Sequence, residues 1–222
     1  MADPCRQDLS LHLAVAAAFD LGDRQLMHDA AIALASAEGV ECVHEVLRFL
    51  HLFYGFPRLV RAWNALPPEL RAGTTAGEAQ IGGCDAQTAA GGSQPSKPAS
   101  EDAFDQAAQQ DLAAAGEQAF HDLYHDRADR VLGHLRMLDP LSAEWVLQHA
   151  YARVMSRPQL PTPIQERIAA MALANTHCWQ QWRSHVDIAL RLGVSNETMR
   201  MDLNAVPWLD QATRDRAEEL LQ

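Results

Sequence analysis

The amino-acid sequence predicts an all-α protein. Apolar residues recur at helical spacing, as in Val43, Val46, Leu47 and Leu50, which stand at i, i+3, i+4 and i+7. Glycines and prolines fall between such stretches, where helices stop and start. No segment shows the period-two alternation and β-branched enrichment of a strand.

The elements follow in order. Residues 9–20 are rich in Ala and Leu, and Gly22-Asp23 separates them from a second helix over 25–37. Gly39 stops that helix, because glycine takes the left-handed conformation that closes helices. The amphipathic stretch from Val43 comes next, punctuated by Gly55 and Pro57. A further helix resumes over 58–66, and Pro67-Pro68 closes it.

The composition then breaks. From Arg71 to Ser100 the only large apolar residue is Ile81, and six of the twelve glycines fall here. A stretch so poor in apolar surface cannot offset its chain entropy, so residues 69–101 read as a flexible linker with Cys84 inside it. Beyond it, residues 102–115 are Ala/Gln-rich, and Phe120, Leu123 and Tyr124 open an amphipathic stretch. Ser142 caps a helix reaching Met155. Pro158, Pro161 and Pro163 bound a short extended connection. Thr162 reads as the N-cap of a helix to about Asn175, with Pro163 at its first position. Another helix covers 178–192 and ends at Gly193, Ser195 caps the next, and a charged helix over 210–221 ends the sequence.

The chain has 222 residues, 48% of them apolar, enough for one large domain or two small ones. Eighteen basic and 29 acidic residues give a formal charge of −11, against a nucleic-acid partner, whose phosphates call for basic patches. No apolar run approaches the ~20 residues that a bilayer requires. The first residues carry acids and no apolar signal core, so a cytoplasmic location and no membrane partner are expected. The four cysteines, at 5, 42, 84 and 178, form no CxxC pair, and the ten histidines form no HExxH-type cluster. Neither a metal ion nor a cofactor is expected.

The two sides of the linker echo each other. Ala31-Ile32-Ala33-Leu34 precedes Gly39-Val40, as Asp187-Ile188-Ala189-Leu190 precedes Gly193-Val194. A divergent duplication of one helical unit accounts for the echo. The organisation expected is a helical half over 1–68, the linker, and a helical domain over 102–222.

Three runs carry the chemistry: AYARVMSRPQL at 150–160, ERIAAMALA at 166–174, and SHVDIALRLGVS at 184–195. Together they resemble the carboxymuconolactone decarboxylase and AhpD-like alkylhydroperoxidase superfamily over about 90 residues. YGFPRLVRAWNAL at 54–66 looks like that family's closing element, displaced here into the first half. The resemblance implies an AhpD-like helical bundle, homo-oligomeric assembly and a small-molecule substrate. The hydroperoxidase branch uses a glutamate, two cysteines in CxxC and a histidine. Glu166, Cys178 and His185 match the glutamate, the first cysteine and the histidine. The second cysteine falls on Gln181, and a histidine between the two falls on Gln180.

Helix geometry weighs that loss. Cys178, Gln181, Trp182 and His185 share one face, at i, i+3, i+4 and i+7. Cys178 and His185 are separated by roughly 10.5 Å of rise, whereas a general base works within about 3 Å of the proton that it takes. His185 therefore serves position 181 rather than Cys178. The helix N-terminus and His177 still favour a Cys178 thiolate modestly.

Three functions remain open: peroxide reduction of the peroxiredoxin type, lactone decarboxylation by Glu166 and His185, and a non-catalytic member of the fold. Arg153 and Arg157 are candidates for holding a carboxylate or for a solvated helix end. Trp179 and Trp182 read as core or interface aromatics. In the first half, the family spacing counted back from Gly39 lands on Ala31, Arg24 and His12, so residues 1–68 read as a structural partner without a site.

Overall fold

Local chemistry sets where each helix begins and ends. A computed structural model describes residues 9–71, 99–206 and 208–222. The Asp23 carboxylate accepts from the backbone N–H groups of Gln25 and Leu26 at 2.9 and 3.0 Å and starts α2 (Arg24–Glu38) after α1 (Ser10–Leu21). Gly39 alone joins α2 to α3 (Val40–Tyr54), and Gly55 alone joins α3 to α4 (Phe56–Ala65). Their φ angles of 93° and 82° lie where side chains are rarely tolerated, so glycine permits both abrupt joints.

The second segment opens with α5 (Ala99–Tyr124) and α6 (Ala128–Leu138). Asp139, not Ser142, caps α7 (Pro140–Trp145), accepting from the Ser142 N–H at 2.9 Å with Pro140 at the first position. A helix there was expected to reach Met155. The chain does stay helical, but Val146–Met155 widens into a π-helix, a rare form that recurs near functional sites. The helix α8 (Thr162–Asn175) already includes Thr162, and Pro161 precedes it with no side-chain cap. The last helices are α9 (Trp179–Arg191), α10 (Asn196–Ala205) and α11 (Gln211–Leu220). Ser195 caps α10 as expected, accepting from Thr198 N–H at 3.0 Å. Among the described residues there is no strand, and no helix is long and apolar enough to cross a membrane.

The expected linker lies mostly outside the described residues, as do Cys5 and Cys84. Pro68–Leu70 forms a 3₁₀ turn with Leu70 buried, and α5 begins at Ala99.

Residues on both sides of that stretch build one apolar core. Val43, Val46, Leu47 and Leu50 of α3 are fully buried with Ile168 and Met171 of α8, Trp182 of α9 and Leu203 of α10. Each such large side chain contributes about 1.5–3 kcal/mol. The central element is α8, every residue from Ile164 to Ala174 being buried. Its alanines let neighbours approach on all sides, and the three polar residues of that buried stretch each find a partner. Gln165 donates to the carbonyls of Met155 and Leu160 at 3.1 and 2.9 Å. Arg167 holds Asp202 with two bonds, of 2.8 and 2.9 Å. Glu166 is described below. A smaller cluster joins Phe120, Tyr124, Leu132, Leu147, Tyr151 and Ile188.

Candidate functional site

Packing of α8 on α9 brings Glu166 and His185 together. Glu166 is fully buried, and its Oε2 accepts from His185 Nδ1 at 2.8 Å. A carboxylate on Nδ1 fixes the tautomer, leaving Nε2 as the ring atom that takes or returns a proton. The other oxygen, Glu166 Oε1, is buried with no hydrogen-bond partner among the described residues. A buried carboxylate left half-satisfied is costly.

His185 opens on a cleft of about 660 Å³. Gln181 and Ser184 continue the α9 wall, and Phe120 and Tyr124 of α5 with Tyr151 of the π-helix form an aromatic wall. The Phe120 and Tyr124 rings stack at 4.4 Å, and Phe120 meets Tyr151 edge-on at 4.8 Å. The Tyr151 hydroxyl donates toward that of Tyr124 at 3.4 Å. Burial pushes both phenols above their ordinary range, and the Glu166 carboxylate acts in the same direction. Both therefore remain protonated donors. Arg130 and His134, exposed on α6, border the cleft. The first segment also reaches this region, the Phe53 ring standing edge-on to His185 at 6.2 Å.

Cys178 lies apart. It is exposed, its thiol faces the Thr176 carbonyl at 3.6 Å, and it does not line the cleft. Position 181, where the family resemblance places the second cysteine, does line it, as glutamine. Arg157 is committed elsewhere: its Nε donates to the buried Glu45 of α3 at 2.6 Å. Trp182 is buried in the core, with Trp179 edge-on to it at 6.1 Å.

The sequence reading singled out neither the aromatic wall nor Arg130. Phe120 and Tyr124 stand at i and i+4, a visible signal of a shared face. Their meeting with Tyr151, 27 residues beyond Tyr124, has no local signature. Cys42 of α3 is a further buried cysteine. Burial first, and then the Glu38 carboxylate, push its thiol up to about 12. A thiol so held is no nucleophile at neutral pH.

Comparison of the chain with protein-family models, with curated proteins and with solved structures finds no match.

Proposed function

We propose that the chain is an acid–base enzyme of the carboxymuconolactone decarboxylase type, acting on a small organic acid. One observation carries the reading: a fully buried carboxylate orients a histidine that lines an aromatic cleft, at 2.8 Å. Glu166 holds His185 in one tautomer and stabilises the imidazolium. In a decarboxylation the bond to the carboxyl group breaks and carbon dioxide leaves. The electron pair stays on the carbon conjugated with the lactone carbonyl, and the imidazolium delivers the proton to that carbon. The protonated Tyr124, which accepts from Tyr151, is the donor for the carbonyl oxygen as charge develops. Arg130 offers the planar fork that pairs with a carboxylate. Peroxide reduction finds less support, since the cleft lacks the thiol that His185 would activate.

The same reading takes the chain as two copies of one helical unit. In both, a packed pair of helices, α1 with α2 and α8 with α9, is followed by a glycine, with φ of 93° at Gly39 and 92° at Gly193.

The test is carbon dioxide release by the full-length protein from a panel of unsaturated lactone carboxylates and β-keto acids. His185→Gln and Glu166→Gln should each lower kcat/KM by about 10²–10⁴-fold, and Cys178→Ser should leave it unchanged. Absence of turnover across the panel, or turnover lost in Cys178→Ser, overturns the reading.

A further inference from the structure

A second convergence of donor atoms lies in the first segment and uses none of the cleft's residues. The sharp joint at Gly39 ends α2 at Glu38 and sets Cys42 in the first turn of α3. The two side chains stand together, Cys42 Sγ being 3.7 Å from Glu38 Oε2. From α1, the fully buried His12 brings its Nε2 to 3.5 Å from Cys42 Sγ and 3.4 Å from Glu38 Oε2.

Two features of this triangle decide what it is built for. The first is which nitrogen is used. A nucleophilic triad places the acid on one imidazole nitrogen and the nucleophile on the other. Here the thiol and the carboxylate both meet Nε2, so all three donor atoms converge on a single point. The second is the size of the triangle. Zinc binds nitrogen and oxygen at about 2.0–2.2 Å and sulfur at about 2.3 Å, in tetrahedral arrangement. Those bond lengths demand ligand separations of about 3.4 Å for nitrogen to oxygen and about 3.6 Å for either of them to sulfur. The observed separations agree to within about 0.1 Å of these edges.

We infer that His12 Nε2, Glu38 Oε2 and Cys42 Sγ form one face of a tetrahedral site for a zinc-type divalent cation. The ligand types exclude the hard cations, since calcium and magnesium call for six or more oxygens and this site offers one. The Glu38 carboxylate and a Cys42 thiolate balance the charge of the ion. His12 and Cys42 are buried, and the Glu38 side chain is 27% exposed, so the ion enters from that side and water completes the tetrahedron. Bound there, the cation ties α1 to the α2–α3 joint.

The experiment uses the full-length protein, stripped with a chelator and titrated with zinc chloride alone and, separately, with cobalt(II). A single equivalent of zinc should bind and raise the melting temperature, because a ligand of the native state stabilises it. Cobalt should give a thiolate-to-metal charge-transfer band in the near ultraviolet. Cys42→Ser should abolish that band and Cys178→Ser should keep it. Glu38→Gln, a change at a partly exposed side chain that leaves the helices intact by circular dichroism, should weaken zinc by more than about tenfold, the loss that even outer-shell partners of a metal cause. Absence of stoichiometric zinc binding overturns the inference. So does a charge-transfer band that persists in Cys42→Ser or is carried by Cys178, or unchanged affinity in Glu38→Gln.

Discussion

Buried charge separates two kinds of residue here. The Arg167–Asp202 pair is 3% and 6% exposed and makes two bonds of fork geometry. Removing one partner strands the other charge in the core, which costs about 3–5 kcal/mol. Asp202→Ala should lower the free energy of urea unfolding by that amount. Glu219→Ala, which breaks the exposed Arg216–Glu219 pair, should change it by less than about 1 kcal/mol. Equal effects would show that burial does not set the difference. Glu166 is the contrasting case, a buried carboxylate with one oxygen satisfied and the other without a partner among the described residues. Glu166 and His185 were legible in the sequence because one helix-to-helix contact brings them together and their runs carry a family resemblance. The His12–Glu38–Cys42 triangle was not. Glu38 and Cys42 keep an i, i+4 spacing, but across a glycine that ends one helix and begins another, and His12 stands 30 residues before Cys42. The count that landed on His12 gave no reason to look for its partners.

At the scale of elements, most helix ends were written locally. Asp23 and Ser195 cap through their own side chains, and Gly39 stops α2 at a positive φ. Capping was misread at α7 and at α8, where Thr162 lies inside the helix. Asp139 takes the cap from Ser142 because its carboxylate reaches the Ser142 N–H directly and Pro140 suits the first helical position. The π-helix at Val146–Met155 had no local signal in the sequence. It packs against α5, and at Gly116 an added Cβ would fall 2.1 Å from the Leu147 carbonyl oxygen. Backbone cannot yield as a flexible side chain can, so Gly116→Ala should destabilise the protein by about 1–3 kcal/mol. The shift should also part Tyr151 from Phe120 and weaken the aromatic wall of the cleft. Gly133→Ala is the control, since its added Cβ meets nothing within 4 Å, and its exposed helical position favours alanine by up to about 1 kcal/mol. A Gly116→Ala protein as stable as the wild type would show that the crossing is looser than its geometry.

At the scale of the whole molecule, the two segments are joined by polar contacts as well as by the shared core. Asp20 of α1 accepts from Asn175 of α8 at 2.8 Å, and Glu45 of α3 takes Arg157. The third joint is sensitive to pH. His51 of α3 and His149 of the π-helix meet through their Nε2 atoms at 2.6 Å, and Phe56 covers both rings. His51 Nδ1 donates to the Arg48 carbonyl, so its Nε2 is the acceptor and His149 Nε2–H the donor. Burial lowers the pKa of His51, against the Arg48 carbonyl, which raises it. Burial lowers that of His149 too, helped by His51 and by the Arg153 guanidinium. Both histidines are therefore neutral in the fold at pH values where the unfolded chain, with histidines near pH 6.5, already binds protons. Linkage then gives the sign. The unfolded state carries more protons below about pH 6.5, so the joint's contribution is complete above that value and is lost as pH falls through it. The melting temperature should fall between about pH 7.5 and about pH 5, and His149→Gln should reduce that fall. Glutamine retains an N–H for His51 and has no proton to gain. The difference between the two proteins isolates this pair from the other histidines. Wild-type and His149→Gln profiles that run parallel through the acid range would exclude the pair as the pH-sensitive joint.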